Sequence, residues 1–268
     1  MIRKAAVAGR FYPRDKEGLL STLSGCIPCD RRQVEAKAII APHAGYVYSG
    51  GVAGHTYSSI KLPRSFVILC PNHTGQGAPI SIMSQGSWET PLGRVDIDKT
   101  LARSIRGACH TVQESPLAHQ REHALEVQLP FLQYFLGNAF RFVPIVVGTQ
   151  RYDALENLGR TLGEAVRRSS QPALLIASSD MNHFESAERT EEKDKLAIQA
   201  IRRLDSLALY RVVHEKKISM CGYGPAIAVM EAARLLGATG AQLIEHAHSG
   251  QVSGDCSRVV GYAGLVIH

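Results

Sequence analysis

Three apolar runs in this chain end directly in polar clusters that contain a histidine. Ile39-Ile40-Ala41 leads into Pro42-His43-Ala44-Gly45-Tyr46. Val67-Ile68-Leu69-Cys70 leads into Pro71-Asn72-His73-Thr74-Gly75. Leu174-Leu175-Ile176-Ala177 leads into Ser178-Ser179-Asp180-Met181-Asn182-His183-Phe184. A lone histidine after a strand is usually a loop residue, and an aspartate there can simply cap a turn. Three such events of one kind favour a shared site. Two neutral imidazoles and a carboxylate, here His43, His73 and Asp180, make a ligand set with open positions, as in non-haem Fe(II) oxygenases. A further histidine, His183, can move protons near neutral pH. On a helix beginning at Asp180 it would share a face with that carboxylate.

Other clusters add to this set. In Arg121-Glu122-His123-Ala124-Leu125-Glu126, His123 and Glu126 stand three apart and would share a helical face, with Glu126 orienting His123. The bland alternative is an exposed polar face. Met220-Cys221-Gly222-Tyr223-Gly224-Pro225 opens a helix and is either a tight turn or a close backbone approach to a ligand. His246 and His248 alternate like strand residues facing one way. Cys26 and Cys29 form a C-x-x-C without the second ligand pair of a structural zinc site. All six cysteines therefore read as free thiols of a reducing compartment.

The elements that must position these residues are legible. Ala38–Ala41, Phe66–Cys70, Phe142–Val147, Ala173–Ala177 and Val259–Ile267 read as buried strands, being Val- and Ile-rich with turn residues at their ends. Ala53–Ile60, Ala124–Phe135, Ala154–Val166, Lys193–Leu204 and Ala226–Leu236 carry helical apolar spacing, and Pro130 should kink or end the second. Alternation of the two predicts an α/β fold: one domain over residues 1–268, with a central, largely parallel or mixed sheet flanked by helices. Such sheets bind ligands outside the carboxyl ends of their strands, where His43, His73, Asp180 and His183 all fall.

At these residues the chain resembles the Memo family, called AmmeMemoRadiSam system protein B in bacteria and archaea. The matching segments are A-V-A-G-R-F-Y-P, A-P-H-A-G-Y-V-Y-S-G, P-N-H-T-G, E-H-A-L-E-V-Q-L-P-F-L, S-S-D-M-N-H-F, C-G-Y-G-P and S-G-D-C-S-R-V-V-G-Y-A. They cover nearly the whole chain. The resemblance implies a fold similar to class III extradiol (LigB-type) dioxygenases. It also implies His43 and His73 as metal ligands, Asp180 and His183 as the remaining pocket positions, and His183 as the acid–base residue. Fe(II) is the implied metal, with copper or zinc as alternatives. Eukaryotic relatives carry a cysteine ligand late in the chain. Val252 is read at that position, which leaves Asp180, His183 or Cys256 as third ligand. Radical-SAM and AMMECR-type proteins are the implied partners. The implied function is an oxygenase-like redox enzyme. The rival readings are a non-catalytic binding or accessory protein using the same pocket and a metal-handling protein.

Composition sets the outer bounds. With 268 residues and 45% hydrophobic content, the chain can bury a sizeable core. No run approaches the roughly 20 apolar residues of a membrane span, and the first residues lack the pattern of a signal peptide. A cytoplasmic protein is the expectation. The net charge of +6 is scattered over diluted pairs such as Arg31-Arg32 and Lys216-Lys217, which argues against nucleic acid as a partner. Phosphate-binding-loop and nucleophile-elbow motifs are absent.

Overall fold

The structure is a computed structural model that describes residues 1–29 and 32–268; Arg31 of the first basic pair lies outside them. The strands are β1 (Ile2–Arg3), β2 (Ala38–Ala41), β3 (Ser65–Pro71), β4 (Ile80–Ile82), β5 (Ser87–Thr90), β6 (Gly93–Ile97), β7 (Gln113–Glu114), β8 (Arg141–Val147), β9 (Ala173–Ser178), β10 (His183–Glu185), β11 (Ala241–His248) and β12 (Val259–Ile267). The helices are α1 (Lys16–Cys26), α2 (Tyr46–Ser58), α3 (Lys99–Ala108), α4 (Pro116–Gln120), α5 (Leu129–Leu136), α6 (Tyr152–Arg168), α7 (Ala187–Arg202), α8 (Ser206–Glu215), α9 (Tyr223–Leu235) and the short α10 (Gly250–Ser253). Among the described residues no helix is long and apolar enough to cross a membrane.

The strands form one mixed sheet in the order β1-β5-β6-β8-β3-β9-β2-β12-β10, with β11 paired to β12 and β4 to β8. Its centre, β8-β3-β9-β2, is parallel. Those four strands are almost wholly buried, which is why their sequences run apolar without alternation. Register brings Ala41 beside Ser178, and Leu69 beside Ala177. The chain therefore leaves β2, β3 and β9 at one edge. Strand β12 is antiparallel to β2, so its start, not its end, reaches that edge.

Helices cover both faces and pack closely where glycine allows it. A Cβ on Gly54 of α2 would lie 2.2 Å from the Cys26 carbonyl oxygen of α1, and one on Gly159 of α6 would lie 2.5 Å from the Ala228 carbonyl oxygen of α9. Local caps fix the helix starts. Asp15, Asp98 and Asp205 each accept a first-turn backbone N–H.

Three helical expectations change. Residues 121–125 are not helical; one 3₁₀ turn spans Glu126–Gln128 before α5. Pro130 sits in the first turn of α5, where its missing N–H costs no hydrogen bond, so it starts the helix and does not kink it. The segment after Asp180 continues as an extended chain into β10 and forms no helix.

Candidate metal centre

His43, His73 and His123 converge at the carboxyl edge of the sheet. Their ligand-capable atoms all lie within 4.8 Å of one another. Ring centroids are 5.2 Å apart for His43 and His73, 5.5 Å for His43 and His123, and 4.7 Å for His73 and His123. His43 follows β2 and is buried; His73 follows β3 and faces solvent; His123 is half-buried and packs on Phe11.

Hydrogen-bond chemistry fixes two of the three tautomers. The Ser178 hydroxyl donates to the Ala124 carbonyl at 2.6 Å, so its single proton is spent. It must therefore accept from His43 Nδ1 at 3.0 Å, as it does from Gln128 Nε2 at 2.8 Å. The lone pair of His43 is left on Nε2. His73 Nδ1 lies 2.9 Å from Glu122 Oε1, and a carboxylate can only accept, so His73 also carries its lone pair on Nε2. His123 Nδ1 is 3.5 Å from the same oxygen. One buried carboxylate, Glu122, thus orients His73, in the manner of the carboxylate–histidine pairs behind metal ligands, and lies beside His123.

The electrostatics keep these groups in donor form. Burial holds His43 well below the usual imidazole range, helped by the two neighbouring imidazoles. Burial also lowers His123, against the pull of Glu122. Glu122 is pushed up by its own burial, but the bonds from His73 and the Ala124 N–H outweigh this and hold it below the ordinary value. His43 and His123 are therefore held as neutral donors near pH 7, which suits a divalent transition metal.

The sequence-derived site residues fall as follows. His43, His73, His123, Asp180 and His183 all line one open cleft of about 510 Å³. Asp180 is buried, and its Oδ1 accepts the His43 backbone N–H at 2.7 Å; its Oδ2 is 4.0 Å from His43 Nε2. It holds the turn that presents His43. Burial raises its carboxyl, against backbone donors and nearby imidazoles. His183 lines the same cleft, with its backbone N–H on Ser219 Oγ and its Nδ1 unpartnered among the described residues. Glu126 does not reach the cleft. Its carboxylate is filled by Arg3, Tyr12 and the backbone N–H groups of Ala6 and Val7. With no shared helical face, it does not orient His123; the carboxylate beside His123 is Glu122.

Two participants were not picked out as site residues. Cys221 Sγ is 3.2 Å from His43 Nε2. It is the thiol beside the imidazoles, whereas Cys256 and Val252 are exposed. Burial pushes its thiol well above the ordinary value, and the Asp180 charge adds to this. The cluster that opens α9 had marked its position. Glu122 was visible only as a neighbour of His123. Behind the wall, His246 and His248 do point one way from β11, towards Asp194 at 2.9 Å and Glu191 at 3.6 Å on α7.

Fold and site together define an α/β protein with a three-histidine candidate metal centre at the ends of its parallel strands. The chain belongs to the Memo-like protein family, whose model matches residues 3–266. It is 43% identical to a MEMO1 family protein of Methanosarcina acetivorans over 99% of each chain. It is 42% identical to one of Methanothermobacter thermautotrophicus, covering 99% of this chain and 100% of that one. A relative in Aquifex aeolicus is also 42% identical, over 99% of this chain and 98% of its own. A crystal structure of an uncharacterized Escherichia coli protein aligns with a TM-score of 0.54 at 11% identity, over 87% of this chain and 100% of that one. That last likeness shows the fold alone.

Proposed function

We propose that this Memo-like protein is an iron-dependent, oxygenase-like redox enzyme. The observation that carries the reading is the convergence of His43, His73 and His123 on the floor of an open cleft. The residues fit a metal: two imidazoles have their Nε2 lone pairs exposed by hydrogen bonding at Nδ1, and a thiol stands beside one of them. His43, His73 and His123 would hold the ion, with Cys221 as a further donor. Such an ion supplies Lewis-acid and one-electron chemistry when bound. The open side of the cleft leaves room for substrate. His183 faces that space and serves as the acid–base residue, holding or releasing a proton at its ring nitrogens. Glu122 and Ser178 keep the ligand imidazoles in one tautomer, and Asp180 holds the His43 turn.

The likeness to extradiol dioxygenases and the partnership with radical-SAM and AMMECR-type proteins are part of the proposal, and rest on the family resemblance. Co-purification with the tagged chain tests the partnership.

The main test is metal analysis of protein purified without oxygen. The wild type should carry about one equivalent of iron. Replacing His43 and His73 together with Ala should remove most of it while circular dichroism stays native. Full occupancy in that double variant overturns the reading.

A further inference from the structure

The sheet has an open edge at the end opposite β10. Strand β1 stands last in the strand order and pairs only with β5. That pairing is parallel, and the Ser87 N–H donates to the Met1 carbonyl. Successive residues of a strand turn their backbone groups to opposite sides, so the Ile2 N–H and carbonyl point away from β5. Among the described residues no strand meets them. A groove of about 720 Å³ follows this edge, lined on one side by residues 1–7 and on another by Pro116, Gln120 and Arg121. Its lining carries four cations, Arg3, Lys4, Arg10 and Arg121, and no carboxylate. Glu126 neutralises Arg3, and Glu89 neutralises Lys4. Arg10 and Arg121 are exposed, and among the described residues neither guanidinium has an ion-pair or hydrogen-bond partner. Met1 and Ile2 expose apolar side chains between these charges. The groove shares no lining residue with the metal cleft, so the metal centre does not account for its charge.

We infer that this edge is a docking surface for an acidic, extended segment of a partner protein, which adds a strand beside β1 and sets its carboxylates on Arg10 and Arg121. The inference is independent of the reading of the metal cleft. Strand addition draws its affinity from main-chain hydrogen bonds and its specificity from side chains on alternate residues. The outward N–H and carbonyl of Ile2 ask for an acceptor and a donor at strand spacing, which a free anion or a phosphate backbone does not carry. Two unpaired guanidinium groups match carboxylates, and a groove without carboxylates repels none of them. Exposed Met1 and Ile2 suit apolar residues alternating with the acidic ones. A second copy of this edge is the wrong occupant, because it would bring the same cations face to face.

The test uses the full chain and three labelled peptides, read by fluorescence anisotropy. One alternates Glu and Val, one alternates Lys and Val, and the third is the Glu–Val peptide with its backbone nitrogens methylated. The wild type should bind the Glu–Val peptide about tenfold more tightly than either of the others. Arg10→Glu together with Arg121→Glu should reverse the preference in favour of the Lys–Val peptide. Ile2→Pro removes the outward N–H and no bond to β5, so it should weaken the Glu–Val peptide while the thermal midpoint holds. If that midpoint falls, the methylated peptide decides the strand pairing by itself. No preference for the Glu–Val peptide in the wild type overturns the inference. So does a methylated peptide that binds as tightly as its parent, because the edge is then a charged patch and not a strand site. Binding of the Glu–Val peptide that survives the double charge reversal also overturns it, because the groove is then not where the peptide sits. The His43→Ala, His73→Ala double variant should bind all three peptides as the wild type does; a lost preference there would place the peptide at the metal cleft and overturn the inference too.

Discussion

Glu122 carries more of the metal centre than any single ligand. It touches His73 through both its ring and its backbone N–H, and it stands beside His123. Glu122→Gln keeps the shape but replaces one carboxylate oxygen with a donor, so at least one imidazole loses its fixed tautomer. Metal affinity should fall by about 10–100-fold, as for other supporting carboxylates, with the fold retained. Competition against a chelator of known affinity measures this; unchanged affinity would show that Glu122 is only structural. Cys26 and Cys29 give the opposite expectation. Cys26 packs against Gly50 and Gly54 of α2, away from the imidazoles. The Cys26→Ser, Cys29→Ser variant should keep its metal, and losing it would place the C-x-x-C in the centre. Much of this scale was legible in advance. His43, His73, Asp180 and His183 each end an apolar run, and run ends in a parallel sheet share an edge. The parts that were not legible, Glu122 and Cys221, act through residues 49 and 178 positions away in sequence, which no local pattern encodes.

At the scale of elements, the N-terminal strand is tied to the site through a buried ion pair. Arg3 on β1 bonds Glu126, the Glu122 carbonyl at 2.8 Å and the His119 carbonyl at 3.0 Å, and stacks on Trp88. It thereby braces the loop that carries Glu122 and His123. Glu126→Gln leaves the Arg3 charge buried without its partner. Urea unfolding should show a loss of about 3–5 kcal/mol, the range for breaking a buried pair. A change under about 1 kcal/mol would mean that water replaces the carboxylate. The elements themselves were unequally readable. The buried central strands appear in the sequence as plain apolar runs. Strands β1, β7 and β10 are two or three residues long and have no detectable period. Helix α2 was seen only in its second half, because Tyr46-Val47-Tyr48-Ser49-Gly50-Gly51 hides helical spacing behind small and aromatic residues.

For the molecule as a whole, buried neutral histidines set the response to acid. His119 is fully buried, with neither ring nitrogen partnered among the described residues, and burial lowers it to about 3, with the Arg3 charge adding to the effect. His43 and His123 are lowered too. A histidine depressed in the folded state contributes stability that is present above its unfolded value near 6.5 and is lost as pH falls towards the folded value. Burial raises Asp180 and Asp194, which act in the other direction: their contribution exists below the unfolded carboxylate value and is lost as pH rises through the folded one. Between pH 7 and pH 5 the histidines dominate, and His119 alone should cost about 2 kcal/mol. His119→Leu should therefore narrow the gap between urea midpoints at those two pH values. An unchanged gap would place the acid sensitivity elsewhere.

The strand order also sets when the centre can exist during synthesis. β2 and β3 do not touch; β9 lies between them. His43 and His73 leave the ribosome early, yet the strands that carry them are held apart until a segment made about a hundred residues later inserts. The wall with His183 and Phe184 waits longer still, because β10 pairs with β12. A nascent chain holding only its first half has no assembled cage for an ion. The three-histidine group is therefore assembled only late, once β9 lies between β2 and β3.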